Sequence, residues 1–122
     1  MTHSILLVDD NRGIRRALRG MFEATGFVCS ESENGQEAVA EAGRSKPDLI
    51  VLDYSMPVMN GLEAAPLLKK MLPQTPIIMF TMFANEILAA KAIDAGVSAV
   101  FSKDQAGHLI PEAESLLKYR RT

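Results

Sequence analysis

Short apolar runs alternate with longer segments of helical spacing along the whole chain. The runs have the length of buried strands and hold few polar residues, as is usual for a parallel sheet with both faces covered. Their alternation with helical segments predicts an α/β domain, a sheet between two layers of helices. The predicted strands span 4–8, 27–30, 49–52, 77–80 and 99–101.

Five helices are predicted after these strands, which gives one (βα)5 domain over residues 1–122. Asn11 and Gly26 are typical of the N-cap and the stop of the first helix. Pro66 lies inside the third helix, where it removes one backbone donor and is expected to kink the helix or delay its start. The last helix is predicted to begin near Gln105. The middle three helices span 35–42, 60–71 and 85–95, and the apolar faces of the first and last are Ile14, Ala17, Leu18, Met21 and Phe22, and Leu109, Ile110, Ala113, Leu116 and Leu117.

Composition narrows the class of protein. A formal net charge of -2 over 122 residues gives no basic field, so this domain is not expected to bind nucleic acid. The first apolar run is far shorter than a secretory or membrane segment, and no membrane association is expected. Cys29, the single cysteine, excludes an intrachain disulfide and a thiolate metal cluster, and we expect it to be buried. Together these features favour a cytoplasmic protein.

The arginines of the first helix and the two histidines are expected to lie on the surface. Four arginines of the first helix are interpreted as a solvated face rather than a site for a polyanion. The two histidines are interpreted as ordinary surface residues. These six residues are Arg12, Arg15, Arg16 and Arg19, and His3 and His108.

Four of the five predicted strands end on polar side chains. In open parallel sheets, ligands bind at the carboxyl ends of the strands. At a separation of about 4 Å, the charges of adjacent Asp9 and Asp10 repel by roughly 4 kcal/mol at an effective dielectric near 20, so a cation is expected nearby. Three carboxylates in one crevice suit Mg²⁺. The strand-end groups are Asp9, Asp10, Asp53, Thr81, Ser102 and Lys103.

The same groups are suited to phosphoryl transfer. A carboxylate beside Mg²⁺, an ammonium and a hydroxyl can form an aspartyl phosphate, because this reaction mainly needs positioning and charge stabilisation. The strand ends carry no histidine or cysteine, so a catalytic triad or a zinc site would lack its parts.

Four segments carry a resemblance to a known family. LLVDDN, DLIVLDYSMPVMNG, PIIMFTMFA and AVFSKD resemble, in this order, the response-regulator receiver domain of two-component signalling, of the chemotaxis-regulator kind. The resemblance covers essentially the whole chain. It implies a flavodoxin-like three-layer fold with strand order 2-1-3-4-5, and a phosphorelay in which Asp53 accepts a phosphoryl group from a histidine kinase or phosphotransfer protein.

The resemblance also implies a metal site. Asp10 and Asp53 would bind Mg²⁺ directly together with the backbone carbonyl of Ser55, while Asp9 would act largely through water.

A further implication is a two-state switch. Thr81 and Lys103 would bind phosphoryl oxygens, and Phe101 takes the place of an aromatic ring that turns inward with the hydroxyl. The output surface would comprise the fourth helix, fifth strand and fifth helix, over 82–117, and would contact a partner or an output domain. Moving such an equilibrium from 1:99 to 99:1 needs about 5.5 kcal/mol.

Three positions depart from the family pattern. Lys103 is followed by Asp104, where many relatives have proline with a cis bond. A cis bond without proline costs about 3 to 4 kcal/mol, so we predict a trans bond and a looser start of the fifth helix. Met82 stands where small side chains are common, which is expected to restrict access to the phosphoryl group. Phe101 lacks the hydroxyl of the frequent tyrosine and can switch by packing alone.

The kinase or phosphotransfer partner is expected to dock on the first helix, near Ile14 and Arg15. A position for Ile14 in the hydrophobic core is an equally good interpretation. The terminal segment KYRRT fits either a tail or the start of a linker.

Two other functions compete with the receiver interpretation. A small Mg²⁺-dependent aspartate phosphohydrolase shares the Asp, Thr and Lys set, but such enzymes resemble D-x-D after the first strand, whereas Asn11 and Arg12 follow Asp10 here. A non-phosphorylated interaction module is the second alternative, although all five site positions are filled.

Overall fold

Five apolar segments pair in parallel to form one sheet in the part of the chain that the computed structural model describes, residues 2–118. The last four residues of KYRRT lie outside this range. The strands are β1 (Ser4–Val8), β2 (Val28–Ser32), β3 (Leu49–Leu52), β4 (Ile77–Thr81) and β5 (Ala99–Ser102). The helices are α1 (Arg12–Ala24), α2 (Gly35–Ser45), α3 (Gly61–Met71), α4 (Glu86–Asp94) and α5 (Leu109–Lys118), with a 3-10 turn over Lys103–His108 before α5.

The strand order is β2-β1-β3-β4-β5, which confirms the order that the resemblance implied. Val8 at the end of β1 pairs with Ser32 on one side and with Leu52 on the other. Thr81 at the end of β4 pairs with Ser102 in β5. The carboxyl ends of the strands are therefore level, so the residues that follow them meet at one edge.

The two faces of the sheet carry separate cores, because successive strand residues point to opposite sides. Leu6, Ile50 and Ile77 pack on the face that α2, α3 and α4 cover. Leu7, Val51 and Ile78 pack on the other face, against residues of α1 and α5. The predicted three-layer α/β fold is confirmed.

Some element bounds differ from the prediction. The Phe27 N–H donates to the Phe22 carbonyl at 3.0 Å and so completes the end of α1, and β2 therefore begins one residue later, at Val28. The helix α2 continues to Ser45 rather than ending at residue 42. The helix α5 begins at Leu109, not near Gln105.

The third helix begins without the predicted delay. Asn60 and Glu63 form a reciprocal capping box, in which each side chain accepts the other residue's backbone N–H at 2.9 Å. Pro66 lies inside α3 on its exposed side. The strong cap fixes the start of the helix at Gly61 despite the missing donor.

The apolar face of α1 includes an unexpected charge. Leu18 and Phe22 are buried as predicted, but Ala17 is exposed, and Arg15 is buried in its place, with 8% of its surface exposed. Positions 15, 18 and 22 lie on one face of a helix. Cys29 is buried as predicted, and burial raises the pKa of its thiol.

Every peptide bond within residues 2–118 is trans, including the predicted trans bond between Lys103 and Asp104. Among the described helices, none combines the length and the apolar character that crossing a membrane requires.

Candidate functional site

Three carboxylates meet at the carboxyl edge of the sheet. Asp9 and Asp10 follow β1, Asp53 follows β3, and one oxygen of each lies within 4.8 Å of the others. Asp9 and Asp53 are buried, with 2% and 6% of their surfaces exposed, while Asp10 faces solvent. The sheet register explains the cluster, because Val8 and Leu52, the residues before Asp9 and Asp53, are paired neighbours.

Lys103 is the cation beside these carboxylates. Its Nζ donates to Asp9 Oδ2 at 2.5 Å and to Asp53 Oδ2 at 3.2 Å, although the two acids lie 94 and 50 residues earlier in the chain. Its side chain is 13% exposed. Lys103 thus supplies part of the positive charge that was expected beside Asp9 and Asp10. Three carboxylates face one ammonium group, so the cluster keeps an excess of negative charge.

Backbone N–H groups fix the orientation of both buried carboxylates. The Asn11 N–H donates to Asp9 Oδ1 at 2.9 Å, and the Tyr54 N–H donates to Asp53 Oδ1 at 2.7 Å. In each case the oxygen held by the backbone is the one that does not bind Lys103. The carboxylates therefore have little freedom to rotate.

The pKa of Asp53 is raised above its usual value of 3.8. Burial is the largest cause, and the negative charge of Asp9 is the next. The charge of Lys103 and hydrogen bonds from Lys103 and Thr81 act in the opposite direction. A further positive charge next to Asp53 would therefore be favourable.

The donor set fits a hard divalent cation. Such cations prefer oxygen ligands, and Mg²⁺ commonly uses one or two carboxylates with waters. The crevice has a volume of about 170 Å³, and its lining includes Asp10, Asp53 and Ser55. The acidic cluster could therefore bind a metal ion.

Thr81 ends β4 and is fully buried, with none of its surface exposed. Its Oγ1 accepts a hydrogen bond from the Phe83 N–H at 3.2 Å. The next two residues, Met82 and Phe83, line the crevice but are 76% and 54% exposed. Met82 therefore lies at the rim of the crevice and not inside it.

Comparison with known proteins identifies the family. The family model described as "Response regulator receiver domain" matches residues 5–113. The chain belongs to the response-regulator receiver domain family. Response regulator protein VraR of Staphylococcus aureus (strain Mu3) is 36% identical over 115 residues, which cover 93% of this chain and 55% of VraR. The chain thus spans about half the length of the curated relatives that it matches.

Solved structures agree with this assignment. A two-component response regulator of the LuxR family from Aurantimonas sp. SI85-9A1 has a TM-score of 0.91 and 30% identity, covering 99% of this chain and 89% of that one. The response regulator domain of Thermotoga maritima CheB has a TM-score of 0.90 with full coverage of that chain and 99% of this one, and at 24% identity it supports the fold alone. This chain thus forms a receiver domain of a two-component response regulator.

The receiver domain has a second charged cluster, between α1 and β2. Arg15 Nη1 donates to the Asp9 backbone carbonyl at 2.7 Å, and its Nε donates to Glu31 at 2.8 Å. Arg19 Nη1 donates to the second oxygen of Glu31 at 2.6 Å, and Arg19 Nε pairs with Glu23 at 3.0 Å. Two of the four arginines are therefore engaged in ion pairs, and the prediction of a uniformly solvated face is wrong.

Arg12 and Arg16 remain exposed on this face, beside a crevice of about 530 Å³. Ile14 is half-buried, contacts the core and also lines the acidic crevice, so its core interpretation is confirmed, while its role in docking stays a prediction. The prediction that Arg15 contacts a partner is wrong, because Arg15 is buried and its charge is bound to groups inside the receiver. The sequence carried one signal for the burial of Arg15, which is its helical spacing of three and seven residues from Leu18 and Phe22.

The ring of Phe101 in the receiver has a neighbour that the sequence did not predict. Phe101 is half-buried and stacks on the imidazole of exposed His108, with ring centroids 5.7 Å apart and an interplanar angle of 13°. His3, by contrast, is half-buried and contacts Phe27 at the start of β1, with centroids 6.3 Å apart. No sequence signal indicated the His108 contact, because it depends on the 3-10 turn before α5.

Proposed function

We propose that Asp53 of this receiver domain accepts a phosphoryl group from a histidine kinase or a phosphotransfer protein. The observation that carries the proposal is the convergence of donors on one carboxylate. Lys103 Nζ lies 3.2 Å from Asp53 Oδ2, and the hydroxyl of buried Thr81 acts on the same carboxyl, whose pKa it lowers. An ammonium and a hydroxyl aimed at one point can neutralise the oxygens of a transferring phosphoryl group.

The transfer would exchange one bond to phosphorus for another. The bond from phosphorus to the histidine nitrogen of the donor breaks as an oxygen of Asp53 bonds to phosphorus. Positioning and charge stabilisation account for most of the catalysis in such reactions. The N–H of Tyr54, 2.7 Å from Asp53 Oδ1, and Lys103 would supply that positioning.

Mg²⁺ is the proposed cofactor. Asp10, Asp53 and the backbone carbonyl of Ser55 would hold it directly, with Asp9 acting through water. The ion, when bound, would neutralise negative charge on the transferring group. The exposure of Asp10 and the bond from Lys103 to Asp9 support this division of roles.

Phosphorylation would switch the receiver through Thr81. The Thr81 hydroxyl accepts the Phe83 N–H, so a Thr81 side chain drawn to a phosphoryl group would release the start of the loop before α4. Phe101 packs beside Phe80 in the core on the α1 and α5 side of the sheet, on the face opposite Thr81, so the expected inward turn of its ring with the hydroxyl does not fit this packing. About 5.5 kcal/mol of differential stabilisation would convert a 1:99 population to 99:1.

The output surface would lie over α4, β5 and α5. Exposed apolar side chains next to Thr81 support this location, because large exposed apolar groups mark interaction sites when they cluster. Met82, Phe83 and Ile87 are 76%, 54% and 71% exposed. The occupant would be a partner protein or an output domain of the same protein.

The phosphoryl donor would dock over the first turn of α1. Ile14 supports this because it borders the acidic crevice, and exposed Arg16 replaces Arg15 as the charged contact. Ile14→Ala and Arg16→Glu should each slow transfer from the donor protein and leave labelling by acetyl phosphate unchanged. Leu67→Ala, an exposed apolar truncation on α3, is the control. Slower labelling by both donors would contradict a docking role.

The main test is phosphorylation by acetyl phosphate with Mg²⁺, followed by intact-protein mass spectrometry. The wild type should gain one phosphoryl group and Asp53→Asn none. Asp94→Asn, which removes an exposed carboxylate of α4, should behave as the wild type. Equal labelling of Asp53→Asn would overturn the assignment.

The same experiment separates the alternative functions. A receiver should lose its own phosphoryl group slowly in a single turnover, whereas a phosphohydrolase would release phosphate from many substrate molecules. An interaction module without phosphorylation would show no labelling. The extent of the domain over 1–122 and its location in the cytoplasm stay predictions.

A further inference from the structure

Arg15 connects the acidic site to the neighbouring strand β2. Its Nη1 donates to the Asp9 backbone carbonyl at 2.7 Å, and its Nε donates to Glu31 Oε1 at 2.8 Å. Glu31 lies in β2, and its second oxygen binds Arg19. The guanidinium of Arg15 is therefore held in one orientation against the main chain of an acidic residue of the site.

The Asp9 carbonyl belongs to the peptide group that joins Asp9 to Asp10. A peptide group is planar, so the orientation of this carbonyl also sets the direction of the Asp10 N–H and Cα. The preceding peptide group is fixed as well, because the Asp9 N–H donates to the Ser32 carbonyl at 3.1 Å. Arg15 thus completes the fixation of the backbone that carries both acidic side chains.

Asp10 depends on this backbone more than Asp9 does. The Asp9 carboxylate is buried and accepts hydrogen bonds from the Asn11 N–H and from Lys103. Asp10 faces solvent, so packing of its own side chain contributes little to its position. The peptide plane beside Asp10 then decides where its carboxylate lies relative to Asp53.

We propose that Arg15 is a positioning residue for metal binding, which holds Asp9 and Asp10 through the Asp9 carbonyl in the arrangement that binds Mg²⁺ beside Asp53. This inference rests on the proposed function, in which Asp10 and Asp53 hold the ion. Loss of a group that orients a metal ligand commonly lowers metal affinity about 10- to 100-fold, and we expect a loss in this range without Arg15.

The charge of Arg15 would have the opposite effect on metal affinity. A positive charge next to a cation site repels the cation, so its removal by itself should strengthen Mg²⁺ binding. A weaker affinity after the loss of Arg15 therefore cannot arise from the lost charge.

The test is titration of the full chain with Mg²⁺, followed by NMR through the Tyr54 amide, whose N–H donates to Asp53. Arg15→Met should bind Mg²⁺ about 10- to 100-fold more weakly than the wild type. A second measurement needs no metal. With a chelator present, the amide signal of Asp10 should shift in Arg15→Met, because the Asp10 N–H and the Asp9 carbonyl belong to one peptide group.

Arg19→Met is the matched control. Arg19 also binds one oxygen of Glu31 and one backbone carbonyl, but this carbonyl belongs to Cys29, at 2.8 Å, and not to Asp9. Arg19→Met should therefore bind Mg²⁺ at least as tightly as the wild type, and its Asp10 amide signal should not move.

Arg15→Lys tests the need for a charged donor. An ammonium can donate to the Asp9 carbonyl but does not have the fixed fork of a guanidinium, so the Mg²⁺ affinity should lie between those of the wild type and Arg15→Met. Should Arg15→Met fail to fold, Arg15→Lys against Arg19→Lys makes the same comparison, and only Arg15→Lys should bind the ion more weakly than the wild type.

The outcomes separate the role of Arg15 from the proposed function. Three results would overturn the positioning role and leave the phosphoacceptor assignment of Asp53 intact: Mg²⁺ binding by Arg15→Met that is unchanged or tighter, an equal loss in Arg19→Met, or an Asp10 amide signal that does not move. A wild type that binds no Mg²⁺ would overturn the proposed cofactor together with the role of Arg15.

Discussion

At the scale of single residues, Arg15 shows how a charged side chain becomes part of a receiver core. Its guanidinium lies between the Asp9 carbonyl and Glu31, at 2.7 and 2.8 Å. Burial alone would raise the pKa of Glu31, but hydrogen bonds from Arg19 and Arg15 lower it below its usual value of 4.5. The arginines therefore stabilise ionised Glu31 and connect α1 to β2.

Arg15→Met should lower the free energy of unfolding by about 2 kcal/mol at neutral pH, because a carbonyl and a carboxylate lose a charged donor. A carboxylate with a lowered pKa contributes stability above its unfolded value, and this contribution is lost as the pH falls below 4.5. The difference from the wild type should therefore shrink in acid. Urea unfolding at several pH values measures it.

Arg16→Met is the matched control for Arg15→Met. Arg16 is exposed on the same helix and has no ion pair with any residue between 2 and 118. Its loss should change the free energy of unfolding by less than about 0.5 kcal/mol. Equal losses in the two variants would contradict a specific role for Arg15.

Val58 has a backbone conformation that branched residues rarely adopt. Its φ is 69°, and the Met59 N–H donates to the Pro57 carbonyl at 2.7 Å across it, which closes a three-residue turn. The side chain is 74% exposed and contributes little burial. The turn between β3 and α3 is therefore strained at this position.

Val58→Gly should raise the free energy of unfolding by about 1 kcal/mol. Relief of left-handed strain is worth about 1 to 3 kcal/mol, and the added freedom of glycine in the unfolded chain offsets about 0.5 to 1 kcal/mol. Val58→Ala retains a Cβ and should differ little from the wild type. A Gly variant less stable than the Ala variant, in thermal or urea unfolding, would contradict the strain argument.

At the scale of elements, α3 begins so close to Asp53 that its first residue has no room for a side chain. A Cβ on Gly61 would lie 2.3 Å from the Asp53 carbonyl oxygen and 3.0 Å from Tyr54 Cα. The Gly61 N–H donates to the Tyr54 carbonyl at 2.8 Å. This glycine sets the distance between the helix and the acidic site.

Gly61→Ala should lower the free energy of unfolding by about 2 kcal/mol, because backbone atoms must move to admit the methyl group. The substitution should also weaken the proposed Mg²⁺ binding, because the backbone of Asp53 is among the groups that must move. Gly20→Ala is the control. Gly20 lies in α1 with nothing within 4 Å of an added Cβ, so alanine should stabilise the protein by about 0.5 to 1 kcal/mol. Equal effects of the two substitutions would contradict the steric argument.

The elements also show what hydrophobic periodicity can predict. The bounds of β1 and β3 were predicted from apolar runs alone. The start of α5 was not, because Gln105 has a non-helical backbone, with φ of -109° and ψ of 31°, which leaves a 3-10 turn before the α-helix. The His108 contact with Phe101 depends on that turn, so it was equally hidden.

The site, like the elements, could be predicted from the sequence only in part. Asp9, Asp53 and Lys103 could be grouped because parallel strands deliver their carboxyl ends to one edge. Arg15 was missed although helical spacing places it on the face of Leu18 and Phe22, because a pattern that sorts residues into apolar and polar assigns every arginine to the solvent side. Its partners come from β2 and the end of β1, which only the fold brings together.

At the scale of the whole molecule, the acidic edge of the sheet opposes folding. Burial and the charge of Asp9 raise the pKa of Asp53, so the ionised carboxylate is less stable in the folded protein than in the unfolded chain. For such an acid, the favourable contribution exists below the unfolded pKa of 3.8 and is lost as the pH rises through the folded pKa. The site therefore lowers stability at neutral pH.

Asp53→Asn should be more stable than the wild type at neutral pH in the presence of a chelator, while Lys103 keeps Asp9 as its partner. The advantage should shrink as the pH falls toward 3.8, where the wild-type carboxyl is protonated. Thermal unfolding across this range measures it. Asp94→Asn on α4, outside the cluster, should show no such trend, and a wild type more stable than Asp53→Asn at neutral pH would refute the prediction.

The bond between Lys103 and Asp9 joins side chains 94 positions apart, so the cluster exists only when the first and last strands share one sheet. The unfolded chain has no such cluster, so an ion that binds there binds only the folded protein. At one hundred times its dissociation constant, the proposed Mg²⁺ would add about 2.7 kcal/mol to the free energy of unfolding. Magnesium would then protect the folded chain from proteolysis, and limited digestion in a chelator should cleave it faster than digestion with the ion present.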